Sequence, residues 1–531
     1  MKTGIHKVNK LYVNVKVDDT FYFEKRKHDY VYFKGSFYYN GKWFSGKSAI
    51  NILFNMLPNI PDVGFFCILY EINKVFGAYV DKIRSFPLFY YTKGNNFFIS
   101  CFLNSLHELG EKYIFDMFSS SGFVLGKNTL LKEVYQIEAG SSLNYKPGDS
   151  NMIIKDYFSY KPSFTVNKFN YFEKVLNEIF QRLIDYSNGR RIVIPLSGGL
   201  DSRIIAVFLK KLNYKNIICF SYGTKGHKDV ITSKKIANKL GIKWFFVEYE
   251  SSKWKELLDD KVFSNYLKFS SNYSSLPHIQ DYLAVSELKA KKIILENDII
   301  VPGHTGDFIS GGHIPFKYKE NLVFEKKQLL KDIILKHFRV NNVQNLRSES
   351  LEMISQSIID VLGIKDKNIF NNIECAQLFE TFDWKERQCK FIINSIRVYD
   401  FFKLDWYLPL WDSKFIDFWS ERSLDEKLQK KLYKIELEKI FPNYFCGINN
   451  KSISLMNKYK KNYILYFIIK YLKVLEQFFL DRSKVYRDYF YHPLKWYSLF
   501  PFRTVIKKRG FQNINSYLVD YFINKYTIHK K

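Results

Sequence analysis

The chain has 531 residues, more than one hydrophobic core supports, so two or three domains are expected. A hydrophobic content of 47% excludes a disordered chain and is ample for packed interiors. Lys and Arg number 81 against 53 Asp and Glu, a net charge of +28, but the excess is lysine scattered without a long basic block. That pattern reads as a solvated surface, and no nucleic-acid partner is expected.

The first 160 residues or so read as short, aromatic strands with turn signals at Asn40-Gly41, Lys93-Gly94 and Pro147-Gly148. Within them "GKWFSGKS", Gly41 to Ser48, fits the nucleotide-binding spacing of a glycine, four residues, then Gly-Lys-Ser. Such a loop needs a buried strand running into it and backbone N–H groups free to cradle phosphate. Here "YVYFKGSFYYNGKWF" alternates aromatic and polar residues, Asn40-Gly41 signals a tight turn, and Trp43 and Phe44 crowd the phosphate position. A hairpin leading into a helix is therefore expected, not an ATP site. The start, MKTGIHKVNK, has no apolar signal core. The six cysteines (Cys67, Cys101, Cys219, Cys375, Cys389 and Cys446) form no CxxC pair. Neither a zinc knuckle nor a disulfide framework is expected, and a cytoplasmic location fits.

The texture then changes. Phe172, Val175, Leu176, Ile179, Leu183 and Ile184 fall at helical spacing. The strand "RIVIPL", the helix "SRIIAVFLKKL", the strand "NIICFSYG", the helix "VITSKKIANKLG" and the strand "KWFFVEY" follow. Strands alternating with helices predict a parallel sheet. From Lys326 onward the chain reads as mainly helical. The apolar run Asn462 to Leu480 is broken by Lys470 and Lys473, too charged to span a bilayer. A buried amphipathic helix is expected there, with peripheral membrane association as the second option.

Between "RIVIPL" and "SRIIAVF" lies "SGGLDS", Ser197 to Ser202. Gly198 and Gly199 allow backbone N–H groups to approach an anion closely, Ser197 and Ser202 add hydroxyl donors, and the next helix presents its positive end. An aspartate in a phosphate loop, Asp201, makes sense if Mg²⁺ bridges carboxylate and phosphate oxygens.

This loop resembles the pyrophosphate-binding signature of ATP pyrophosphatases, and the rest of the chain is similar to the asparagine synthetase family. "FSYGTKGHKDVITSKKIANKLG" follows at that family's spacing, with Asp229, Ala237 and Leu240-Gly241 at pattern positions. "VPGHTGDFISGGH", Val301 to His313, resembles the loop GEGSDEVFGGY, and "LDWYLPLWDSKFIDFW", Leu404 to Trp419, the family's third segment. "VGFFCILYEINKVFGAYVDKIRSFPLFYY", Val63 to Tyr91, is similar to its amidotransferase half.

The resemblance implies an α/β protein in three parts. Residues 1–160 would be a degenerate amidotransferase domain of Ntn (N-terminal nucleophile) αββα type. Residues 161–455 would be an ATP-pyrophosphatase domain (PP-loop, adenine nucleotide α-hydrolase-like) with a parallel sheet and a helical C-terminal part. Residues 456–531 would be a basic, aromatic, helical extension. It also implies roles. Ser197, Gly198, Gly199, Asp201 and Ser202 would hold pyrophosphate; Leu196, Tyr222 and Gly303 would line the adenosine pocket. Asp201 and Asp307 would share Mg²⁺, Lys451 would neutralise departing phosphates, and His304, standing where the family has a glutamate, would take a proton from the incoming nitrogen. Glutamine hydrolysis in the family needs a cysteine directly after the initiator Met; Lys2 stands there, so no glutaminase activity is expected.

The expected activity is ATP-dependent amide formation in a bacterium. A small-molecule or sugar carboxylate is adenylated, as in relatives from surface-polysaccharide clusters, and ammonia or an amine, also obtainable from a partner glutaminase, displaces AMP. A macrolactam or peptide cyclase of the same fold is the alternative. A tRNA-modifying adenylase ranks below it, because catalytic cysteines or an RNA domain are not evident. Homodimer formation is left open.

Overall fold

The computed structural model describes residues 1–8, 11–103, 107–145, 152–165, 171–341, 343, 346–445, 485–507 and 513–526. Lys451, Cys446, the Pro147-Gly148 turn and the run Asn462 to Leu480 lie outside them. The aromatic first part folds as two sheets. Its strands are β1 (Lys2–Val8), β2 (Leu11–Val17), β3 (Tyr22–Arg26), β4 (Asp29–Tyr39), β5 (Lys42–Ser45), β6 (Val63–Ile72), β7 (Val75–Val80), β8 (Phe89–Lys93), β9 (Asn96–Ser100), β10 (Tyr135–Gln136), β11 (Ser141–Tyr145) and β12 (Ile153–Asp156). One sheet runs β1-β2-β9-β8-β10, the other β12-β11-β7-β6-β4-β3 with β5 paired to β4. Strand periodicity explains the packing. Tyr30 and Tyr32 of β4 join Val13, Val15, Leu69 and Phe97 in one core cluster. The alternate residues Val31 and Phe33 pack instead with Ala49, Ile50 and Leu53 of helix α1 (Gly46–Met56). The outer face of the larger sheet is thus covered by a helix.

The Gly41–Ser48 stretch is the expected hairpin. Asn40 and Gly41 take φ of 47° and 80°, as a two-residue turn matching strand twist requires. Trp43 is partly buried and donates from Nε1 to the Arg182 carbonyl at 3.0 Å. Its ring meets Tyr186 and Tyr407 edge-on at 5.2 and 5.6 Å. Its place is taken by packing, not by phosphate.

Helix α2 (Lys112–Ser121) lies between these strands, and α3 (Phe172–Ser187) leads into the second part. There β13 (Ile192–Pro195), α4 (Leu200–Lys211), β14 (Ile217–Gly223), α5 (Lys228–Leu240) and β15 (Lys243–Glu248) alternate as expected. Two strands of two residues each, β16 (Ile299–Ile300) and β19 (Asp405–Trp406), complete an all-parallel sheet ordered β15-β14-β13-β16-β19. In a separate antiparallel pair, β17 (Val323–Glu325) precedes the region read as helical and β18 (Ile369–Asn371) interrupts it. Ile192, Val193 and Ile194 are fully buried, which is why β13 is a continuous apolar run rather than an alternating one. The strand order reverses between β13 and β16, and ligands of open α/β sheets bind at that point, outside the carboxyl ends of the strands.

Among the described residues, no helix is long and apolar enough to cross a membrane.

Candidate active site

The loop Leu196–Gly199 leaves β13 at its carboxyl end and turns at once into α4. Ser202 closes the turn: its Oγ accepts from the Ser197 N–H at 3.0 Å and lies 3.0 Å from Ser197 Oγ. The Gly199 N–H reaches back to Ser197 Oγ at 3.2 Å, and Arg203 donates to the Gly198 carbonyl at 2.6 Å. The loop is therefore preformed by its own side chains. The strand β16 delivers the second loop beside it. Gly303 packs so closely that a Cβ there would sit 2.5 Å from the Ser202 nitrogen, which is why only glycine fits. Gly303, expected to line the adenosine pocket, lies against the phosphate loop, and Gly198 packs beside Asp229.

A short helix, α9 (Gly306–Ile309), locks the two loops together: the Asp307 N–H donates to Asp201 Oδ2 at 2.9 Å. Asp201 Oδ1 is buried without a hydrogen-bond partner among the described residues. Burial pushes the Asp201 pKa up to about 6, opposed by Lys430 and assisted by the charge of Asp307. Asp307 goes the other way. His313 Nε2 at 3.3 Å from its Oδ2 and Lys430 Nζ at 2.5 Å from its Oδ1 hold it well below the usual carboxylate range. Behind it, His313 Nδ1 meets the buried Asp383 at 2.5 Å. Burial alone would lower the His313 pKa, but Asp383 and Asp307 raise it to about 9, so the ring stays protonated.

The donor set fits a hard cation. Mg²⁺ is held by one or two carboxylates together with phosphate oxygens, and Asp201 offers a buried carboxylate oxygen, Oδ1, with the Tyr433 hydroxyl beside the carboxylate. Among the described residues no group of three or more His, Cys, Asp or Glu could hold a metal alone. Phosphate oxygens would have to complete the shell.

Two chambers open from the loop. One, of about 390 Å³, is lined by Ser197, Asp201, Gly303, His304, Asp307 and Lys430 among others. His304 Nε2 lies 3.2 Å from Ser395 Oγ, while its Nδ1 has no partner among the described residues. Burial lowers the His304 pKa, with the Asp281 charge opposing. Neighbouring His278 is pushed down to about 3 by burial and by His304 itself. The other chamber, of about 310 Å³, is lined by Leu196, Phe220, Tyr222, Val230, His492 and Leu494 among others. Tyr222 borders both; its hydroxyl donates to Asp281 at 2.5 Å, accepts from Gln280 at 2.9 Å, and its ring stacks on Tyr249 at 5.0 Å.

Sequence reasoning missed Lys430, His313, Asp281, Ser395 and the His492–Leu494 stretch. Lys430 is one of three lysines within 427–431, with Lys427 and Lys431, and nothing local distinguishes it from the other two. It follows Gln429, and both take positive φ (57° and 60°). Lys451, expected in such a role, lies outside the described residues. The final "H" of "SGGH" was a usable signal for His313, since it departs from the tyrosine of the related loop.

Residues 186–386 match the family model described as asparagine synthase. Curated relatives include the tRNA-specific 2-thiouridylase MnmA of Lactiplantibacillus plantarum, 29% identical over 142 residues, which are 23% of this chain and 34% of that one. The enzyme of the same name from Mesomycoplasma hyopneumoniae is 29% identical over 143 residues, 23% of this chain and 36% of its own. The chain thus spans about a third of the length of these relatives. Among solved structures, the NH3-dependent NAD synthetase of Campylobacter jejuni covers 26% of this chain and 58% of its own, at 17% identity and a TM-score of 0.19. A TM-score that low places no constraint on the fold.

Proposed function

Taking residues 186–386 as an asparagine synthase domain, we propose that the protein is an ATP-dependent, amide-forming ligase that adenylates a carboxylate. One observation carries this reading. The Asp307 N–H bond to Asp201 Oδ2 joins the Ser197–Ser202 loop to the second signature loop at the point where the parallel strand order reverses. In the first step, a substrate carboxylate oxygen attacks the α-phosphorus of ATP and pyrophosphate leaves. The Ser197–Ser202 loop and the positive end of α4 receive the departing phosphates, and Lys430 adds a cation beside them. Bound Mg²⁺, held at Asp201 with Asp307 adjacent, would supply charge neutralisation on the phosphate oxygens. In the second step, a nitrogen nucleophile attacks the acyl carbon, AMP leaves, and the nitrogen surrenders a proton. His304 lines the same chamber, and its ring, with Nδ1 unpartnered among the described residues, is the group assigned to accept it.

The helix-covered pair of sheets over residues 1–160 is read as an amidotransferase-derived scaffold without its nucleophile, with the enzyme working in the cytoplasm. Nitrogen then comes from ammonia, an amine, or a partner glutaminase, and the acceptor is a small-molecule or sugar carboxylate. The similarity to tRNA thiouridylases favours a second reading, adenylation of tRNA. Against it, the thiols of Cys67, Cys101, Cys219, Cys375 and Cys389 are all buried or nearly so and pushed upward by that burial, the reverse of a reactive thiolate.

Carboxylate-dependent exchange of labelled pyrophosphate into ATP tests the proposal. A panel of amino-acid and sugar carboxylates should yield one that drives exchange, and Asp201→Ala should abolish it. Exchange driven by tRNA and by no carboxylate would favour the second reading.

A further inference from the structure

Resting on that reading, the chamber of about 310 Å³ is where the nucleoside of ATP belongs. It shares Pro195, Ser197, Tyr222 and Gln280 with the phosphate chamber, so phosphates at Ser197–Ser202 direct the base into it. One wall of this chamber comes from far along the chain. We propose that residues His492–Leu494 form the outer wall of the nucleobase pocket, and that His492 Nε2–H donates a hydrogen bond to a purine ring nitrogen.

The segment is fixed on the sheet, not draped over it. The Pro493 carbonyl accepts from the Thr224 N–H at 2.8 Å, immediately past the end of β14. The Leu494 carbonyl accepts from the buried Trp254 Nε1 at 2.7 Å, and Ser498 Oγ meets Ser251 Oγ at 2.9 Å. His492 is oriented from two sides. Its ring stacks on Trp496 at 5.0 Å, and its Nδ1 accepts from the Leu494 N–H at 3.2 Å. A neutral imidazole that accepts at Nδ1 carries its hydrogen on Nε2, which makes that atom a donor. Burial lowers the pKa of His492, with Asp488 opposing, which keeps the ring neutral. Leu196, Val230, Pro493 and Leu494 supply apolar faces suited to a flat ring, while Ser221, His227 and Asp229 add polar groups to the lining. Purine ring nitrogens are acceptors, so the donor at His492 complements them.

The test is calorimetric titration of the full chain with a non-hydrolysable ATP analogue and, separately, with pyrophosphate, both with Mg²⁺. His492→Ala should weaken the ATP analogue roughly tenfold, the loss of one hydrogen bond and some packing, and leave pyrophosphate affinity unchanged. His492→Gln, which keeps an N–H donor, should recover part of the loss. Unchanged analogue affinity in His492→Ala overturns the assignment. If instead Asp201→Ala binds both ligands as the wild type does, the phosphate-loop reading has failed. In the wild-type chain, amides of residues 485–507 should gain hydrogen-exchange protection with the ATP analogue and none with pyrophosphate. Protection by neither ligand also overturns the proposal.

Discussion

His304 occupies a chamber that keeps its ring uncharged. Burial lowers its pKa below 6.5, opposed by the Asp281 charge, itself engaged by the Tyr222 and Tyr399 hydroxyls. A neutral ring at physiological pH is what proton acceptance requires. Because the shift is downward, aminolysis should be flat above pH 6.5 and decline only as pH falls through the lowered value. His304→Ala should slow aminolysis by a factor on the order of 10²–10⁴ while sparing pyrophosphate exchange; an unchanged aminolysis rate would leave His304 a pocket residue. At this scale the sequence was informative where a residue sits inside a recognisable loop, as His304, Asp307 and Asp201 do. It was silent on Lys430, one lysine among many, whose position beside Asp307 depends on the local path of a distant turn.

Elements that carried strong local signals formed as expected, and the hairpin at Gly41–Ser48 illustrates the competing motif. Lys47 is exposed in the first turn of α1, remote in sequence from the Ser197–Ser202 loop. Lys47→Ala should therefore leave ATP affinity unchanged, whereas Trp43→Ala should lower stability by about 3 kcal/mol through lost packing. Urea unfolding and nucleotide titration of the two variants check both; a lost ATP affinity in Lys47→Ala would reinstate the first motif. In α10 (Lys326–His337), the terminal histidine is buried against Phe379 and Phe382, with neither ring nitrogen hydrogen-bonded among the described residues. Burial takes its pKa down to about 3 from 6.5. The unfolded chain thus gains a proton below pH 6.5 that the folded one refuses, so this group costs stability as pH falls. His337→Phe should remove that cost, improving stability relative to wild type by about 2 kcal/mol on going from pH 7 to about pH 5. Parallel loss in both proteins over that interval would show His337 is not the titrating group.

Across the whole molecule, the two-sheet part and the parallel sheet are joined by a charged stretch that is buried. Asp383–Ile392 winds as a π-helix, a rare form found often at functional sites. Glu386 and Lys390 pair at 2.7 Å with both side chains fully buried, and Lys390 donates to the Gly126 carbonyl at 2.6 Å. Trp384 Nε1 donates to the Lys82 carbonyl at 2.9 Å, and Lys385 meets Asp156 at 2.9 Å. This rigid attachment suits a scaffold. With every described thiol buried or nearly so and its pKa raised, incubation with glutamine should release no glutamate, by enzymatic assay; measurable release from this chain alone would refute the scaffold reading. The α/β alternation, the Ser197–Ser202 loop and the helix that follows it were legible in the residues alone, because each depends on residues a few positions apart. The remainder came from long-range packing. Strands β16 and β19 have two residues each, too short for any periodicity; β16 exists because β13 offers it an edge, and β19 because β16 does. Lys430, His313 with Asp383, and the His492–Leu494 wall reach the site from separate stretches of the chain. Their roles rest on contacts between segments distant in sequence, which local spacing does not encode.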